Sequence, residues 1–433
     1  MKTKKLIVGI FSTIMMAVNV NAADLCVSES GSGGCYSSIS DAIAAAADGD
    51  RILIQPKTGG ASYTENFIIN KSVQLLSNTE GVMWVMTGNI TVTPAIGRKI
   101  SILHMKNNTG YIAATGASPA GARCEVNIMN CELLGGYINF NYDYFNANII
   151  SNIINKGYIA IRFGNVIGNE IKNTTAGQGL SNGSGYYLSC ITVNTDGLVS
   201  NDTLNIVGNM MTIDAGNYPN FIYWNNSSQF FNIMNNYGYN SSSPSNYDTY
   251  YLTIAAAKNS ALTTNKIINN TIYTRMYYAN RARGIYFPFN NSSYPNSKFD
   301  VLNNLLLGDV SSTVMISDNT GTNTISCSYN YLNNGSVIYG ITDDGTNNAN
   351  SNTTINTTTG KMNIGSDGFN AGYPDFTYYD IDLTQNDVGC YGGSFTLDNF
   401  FPITGAARVF FVNAPRTILQ SGTLNIKANS FDR

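Results

Sequence analysis

Charge is scarce in this chain of 433 residues: 24 Lys and Arg and 27 Asp and Glu make up 12% of it, about half the share found in an ordinary soluble domain. The hydrophobic share, 43%, is ordinary, so Asn, Ser, Thr, Gly and Tyr stand where charges would otherwise be. A disordered polyelectrolyte is excluded, because such chains carry high net charge and few aromatics, and this one is 11% aromatic. A pI near 5.2 argues against a nucleic-acid partner. There is one histidine, His104, and no Cys/His spacing of the kind that binds zinc. No run of about 18 apolar residues follows the first segment, so no spanning helix is expected. The 41 Gly and the Asn/Thr/Tyr runs disfavour a helical bundle and suit strands and turns.

The opening reads as a secretory signal over residues 1–22: Lys2, Lys4 and Lys5 precede the apolar run Leu6 to Val18, with small residues at Val20, Ala22 and Ala23. The mature protein is therefore expected outside the cytoplasm, secreted or at the cell surface, where disulfides are permitted. Cys26 and Cys35 flank the glycine-rich stretch Ser28 to Gly34, so a local disulfide is one reading. Spacing alone does not fix connectivity. Cys124, Cys131, Cys190, Cys327 and Cys390 are scattered and read as small buried hydrophobes.

Between about Ile102 and Leu332 one short pattern returns, two or three apolar residues bracketed by Asn. Examples are Asn148-Ile149-Ile150-Ser151-Asn152, Asn165-Val166-Ile167-Gly168-Asn169, Asn205-Ile206-Val207-Gly208-Asn209 and Asn232-Ile233-Met234-Asn235. Each unit is too short to bury its own apolar face, and stacking solves that problem. Asn tolerates the left-handed region at a sharp turn, and Asn side chains at equivalent positions can bond to one another up the stack. Residues from about 50 to 393 would then form on the order of a dozen coils. Ile39, Ala42, Ile43, Ala46 and Ala47 recur at helical spacing and would plug the first coil.

Three segments resemble the opening of the secreted right-handed parallel β-helix proteins, the pectin-lyase-like superfamily. They are Ser38 to Ile43, Asp48-Gly49-Asp50-Arg51-Ile52-Leu53-Ile54 and Tyr63 to Lys71. Asp380-Ile381-Asp382 followed by Asn386-Asp387-Val388-Gly389-Cys390-Tyr391-Gly392-Gly393 is similar to the motif that closes many bacterial members. The resemblance implies an all-β fold, a right-handed parallel β-helix over residues 23–393 with an N-terminal capping helix. After Gly393 the pattern turns to alternating strands, so residues 394–433 read as a small β cap or docking segment. An outer-membrane barrel, the other all-β option for this composition, would need strands of about ten alternating residues, and the apolar runs here are shorter.

The resemblance implies enzymes of several classes, each marked by its own set of residues. The paired-aspartate stretch of pectin methylesterases is missing: Asp375-Phe376 continues as Thr377-Tyr378-Tyr379. Asn194-Thr195-Asp196-Gly197 matches the first fragment of a polygalacturonase site, but its Gly-His-Gly is absent, and the fragment reads as a turn. His104 reads as structural. A polysaccharide lyase needs only a basic residue and a group that neutralises the uronate. The best cluster runs from Arg275 through Tyr277 and Tyr278 to Arg281 and Arg283, with Arg162 as a second candidate. Oxygen ligands at Asp380, Asp382, Thr384 and Asn386, with Asp387 in the same acidic group, have a loosely calcium-like spacing, which makes calcium the one cofactor worth testing, although turn-forming structural aspartates are the favoured reading. Tyr223 and Trp224 lie in an aromatic stretch suited to sugar contact, with packing under long loops an equal reading. With no complete catalytic set, the leading expectation is a rigid glycan-binding, adhesive or structural module whose partner is a polysaccharide or cell-surface glycan. A lyase acting on acidic polysaccharide is the alternative. Self-association through the end caps is a further expectation.

Overall fold

A computed structural model describes residues 22–115, 122–173, 188–194, 201–214, 219–226, 229–241, 249–275, 282–288, 297–309, 313–403, 408–413 and 427–431. Short parallel strands coil into three long sheets of 12, 11 and 11 strands, a parallel β-helix. Each coil gives one strand to each sheet in turn. In one coil these are Phe145–Ile150 in the first sheet, Ile153–Asn155 in the second and Ile159–Ile161 in the third. The coils run from Arg51–Ile54 to Val337–Tyr339. Among the described residues no helix is long and apolar enough to cross a membrane.

The core follows from period-two alternation. Phe145, Ala147 and Ile149 point inward and are buried, while Asn146 and Asn148 between them point out. Register then stacks like on like. One inward column passes through Ile102, Ile128, Ile149, Val166, Ile206, Ile233, Ile267 and Val301. β-Branched side chains at successive rungs pack with little rotamer freedom to lose, which is why so short a strand suffices.

The corner between the first and second sheets is built from two residues. The first takes a left-handed conformation, as at Asn130, Ser151, Asn235, Asn269 and Asn303, with φ between 53° and 56°. The second, from the corner at Ser151 onward, is an Asn that turns inward. Asn152, Asn169, Asn209, Asn236, Asn270, Asn304 and Asn330 form a continuous buried ladder. In each rung the side-chain oxygen accepts both the backbone N–H and the Nδ2 of the rung before it. Asn236 Oδ1, for example, takes them from Asn209 at 3.0 and 2.9 Å. Its own Nδ2 donates to Ile206 O at 2.8 Å. The turn backbone, which has no strand partner, is thereby satisfied inside the protein.

The helix Ile39–Ala45 covers the first coil. Ser38 Oγ accepts from the Asp41 N–H, and the Glu65 carboxylate accepts from the backbone N–H groups of Ile39 and Ser40, meeting the helix N-terminus with negative charge. Cys26 and Cys35 form a disulfide beside this cap, on the edge strand Asp24–Val27. The other five cysteines are buried as free thiols.

At the far end the structure differs from the sequence expectation. Coils stop at Tyr339 rather than near Gly393. Asp344, Thr346 and Asn347 cap the last corner, where the N–H groups of Tyr329 and Asn330 donate to Thr346 Oγ1 and Asn347 Oδ1. The chain then folds back along the outside of the first corner as a strap, residues 352–403. Rich in turns and without the paired-Asn corner, it cannot continue the coil, and it docks on side chains that earlier corners present. A short antiparallel pair, Arg408–Asn413 and Lys427–Phe431, follows.

Candidate functional site

The outward face of the first sheet carries three columns. The middle one is a second, half-buried Asn ladder: Asn127, Asn148, Asn165, Asn205 and Asn232 are joined Nδ2 to Oδ1 at 2.7–2.9 Å. Register continues it to Lys266 and Asp300. The column nearer the corner is apolar, with Ile150, Ile167 and Val207 packed under Phe400 of the strap. The strap thus covers the apolar column and leaves the amide column open.

The result is a groove enclosing about 1030 Å³. It spans five strand spacings, about 24 Å along the axis. Asn165, Asn205 and Asn232 form the floor, Tyr378, Ser394 and Phe395 the strap wall, and Asn201, Asp202 and Thr203 the facing wall. Arg123 and Glu125 stand at one end and Lys266 at the other. Arg123 is already committed: its guanidinium lies 3.5 Å from the centre of the Phe163 ring, pairs with Asp202 at 3.0 Å and donates to Asp143 O. Lys266 makes no ion pair within 4 Å among the described residues.

The strap is held by the left-handed corner residues. Asn235 Nδ2 donates to Gly392 O at 2.6 Å, and Asn269 Nδ2 to Asn386 Oδ1 and Asp387 O, both at 2.9 Å. Asn303 Oδ1 accepts from the Tyr373 N–H at 2.7 Å, and the Cys390 N–H donates to Thr271 Oγ1. The segment Asn386 to Gly393 is therefore a docking element on the side of the coils. Gly392 is required there, since a Cβ would fall 1.7 Å from Asp387 O.

Most residues singled out from the sequence lie elsewhere. Arg162 pairs with Asp143 at 2.6 Å outside the groove lining. Arg275 follows a second-sheet strand and donates to Ser241 O, and Arg283 sits on the third sheet opposite Tyr250. Tyr277, Tyr278 and Arg281 lie outside the described residues, as does most of Asn194 to Gly197. Trp224 needs correction as a contact residue: it is fully buried, with its ring 4.6 Å from Phe231, because it shares inward parity with Ile222. Tyr223 has outward parity but is 8% exposed. His104 occupies a left-handed corner, its Nδ1 2.7 Å from Asn130 Nδ2. Sequence reasoning missed Arg123, Lys266 and the strap wall. A stack of Tyr111, Tyr137 and Tyr158 elsewhere has centroids 5.1 and 4.9 Å apart. Its inner ring faces cover one another, and it lies outside the groove lining.

No protein-family model matches the chain, and no curated protein matches it. The groove must be read from its own chemistry.

Asp380, Asp382 and Asp387 serve the strap's turns. Asp380 accepts from the N–H groups of Asp387 and Gly393, Asp382 from Thr384, and Asp387 from the Asn370 N–H. No three His, Cys, Asp or Glu side chains converge as a metal site among the described residues. Burial, reinforced by the neighbouring Asp387 and Asp382, pushes the Asp380 carboxyl up to about 6 against the pull of its two backbone donors. Burial raises Asp387 as well. Exposed Asp382 and Asp375 are lowered by bonds from Thr384 and Thr377 and act in the opposite sense. A folded value above the unfolded one means the folded strap binds the proton more tightly. Its docking is accordingly expected to be firmest near pH 4, to weaken as pH rises through 6, and to lose the contribution of Asp382 and Asp375 at lower pH. Hydrogen-exchange protection factors over residues 376–393 should be lower at pH 7 than at pH 4.5; the reverse order would contradict this.

Proposed function

We propose that the chain is a secreted or cell-surface β-helix protein that holds a glycan in the first-sheet groove and acts as a rigid binding or adhesive module. The observation that carries the reading is the groove floor, a row of neutral amides fixed in one orientation by their own ladder, beside the aromatic Tyr378 and Phe395. Convergent polar groups in a long concave site, held before the ligand arrives, are what an extended polar polymer requires. The resemblance of Ser38 to Lys71 and Asn386 to Gly393 to the pectin-lyase-like superfamily supports a carbohydrate ligand. A lyase is disfavoured, because the arginine cluster that suggested it has Arg275 and Arg283 away from the groove and Arg123 is tied to Asp202 and Asp143. The test is incubation of the mature chain with insoluble glycans, pectate and alginate. Retention on a glycan without a rise in unsaturated-uronate absorbance is expected. A sustained rise would replace this reading with the lyase, and retention on no glycan would remove it.

A further inference from the structure

We propose that the groove selects an uncharged, hydroxyl-rich polysaccharide laid along the helix axis, and that it discriminates against polyuronates. This rests on the glycan-binding reading above and narrows it to a ligand class.

Two features carry the inference. The first is the unused hydrogen-bonding capacity of the floor. A primary amide has two N–H donors and an oxygen with two lone pairs. The ladder consumes one N–H and one lone pair at each of Asn165 and Asn205, and one N–H at Asn232. One donor and one acceptor remain per rung, side by side and repeated at every strand spacing. A hydroxyl both donates and accepts, so a polymer of neutral sugars can satisfy both, rung after rung. A carboxylate only accepts, and it would sit against an amide oxygen it cannot bond.

The second feature is the charge balance. A polyuronate brings a negative charge with each sugar. Against that the groove offers Arg123 and Lys266, balanced by Glu125 and Asp202. Arg123 already spends its guanidinium on Asp202, Asp143 and the Phe163 ring. Lys266 remains as one ammonium for a site five strand spacings long, on a chain whose net charge is −3. Uronates beyond the first would be desolvated without a counter-charge and repelled by the two acids.

The experiment is calorimetric titration of the full mature chain with cello-, xylo-, manno- and β-1,3-gluco-oligosaccharides, and with oligogalacturonates and oligoalginates of the same lengths. At least one neutral series should gain affinity with each added sugar up to about five units, the number of strand spacings the groove spans. Uronate series should bind at least tenfold more weakly, and that residual binding should be lost in high salt, which screens a single exposed charge. The double variant Asn165→Ala/Asn205→Ala should lower neutral affinity at least tenfold while circular dichroism still shows the native fold. Uronates binding as tightly as or more tightly than every neutral series would overturn the selectivity and leave glycan binding standing. Binding of neither class would overturn both. Undiminished neutral affinity in the folded double variant would also overturn it, because the ladder would not be the reader.

Discussion

Replacing Asn236 with Leu is expected to cost about 3–5 kcal/mol of stability, whereas Asn205→Ala on the outer ladder costs less than about 1 kcal/mol. Both residues belong to amide ladders and differ in what takes over their bonds. At Asn236 the side chain is fully enclosed, accepting the Asn209 N–H and Nδ2 and donating to Ile206 O and Asn270 Oδ1. Leu fills the space but leaves the Asn209 N–H without a partner, and each such buried group costs about 1–3 kcal/mol. Asn205 is only half-buried on the groove floor, so solvent is expected to replace the lost bonds. Urea unfolding of the two variants, compared with the parent, reads the difference directly. Equal losses would mean that burial of the corner amides is not what holds the turns.

The second large effect concerns the strap. Phe400 is 1% exposed and seats against Ile150, Ile167 and Val207 where the corner residues are Gly168 and Gly208. A Cβ at Gly208 would lie 2.2 Å from the Phe400 ring, so the absence of a side chain there creates the seat. Phe400→Ala should forfeit about 3–5 kcal/mol of local packing. Because coils are stabilised mainly by their neighbours, this loss should appear as release of the strap rather than global unfolding. Limited proteolysis should cut within residues 352–403 at least tenfold faster, while the coils resist. Gly208→Ala should do the same from the opposite side, with added strain at φ 64°. If Phe400→Ala is cleaved no faster than the parent, the strap is not anchored there, and the groove has lost the basis for its wall.

The coils were legible because their causes are local. The alternation in Asn146-Ala147-Asn148-Ile149 states which side faces in, and the Asn that closes each apolar run marks the corner. Parity would also have placed Trp224 inside, two residues from Ile222, had it outweighed the aromatic character of the stretch. The groove was not legible, because its walls come together only when the strap turns back. That turn sets Tyr378 and Phe395 against strands more than a hundred residues earlier. Arg123 and Lys266 stand alone in sequence and carry no spacing signal. The Asn386 to Gly393 motif announced a closure but not its direction: its glycines fit close approach to corner side chains on the flank, whereas a terminal coil would have needed apolar alternation.

The most direct test of the account is a crystal structure of the mature chain with the tightest-binding oligosaccharide. The sugar chain should lie along the first sheet, with hydroxyls bonded to Asn165, Asn205 and Asn232 and one face against Tyr378 or Phe395. A ligand seated instead on the third sheet near Arg283 and Tyr250, or across the Tyr111–Tyr137–Tyr158 stack, would contradict it.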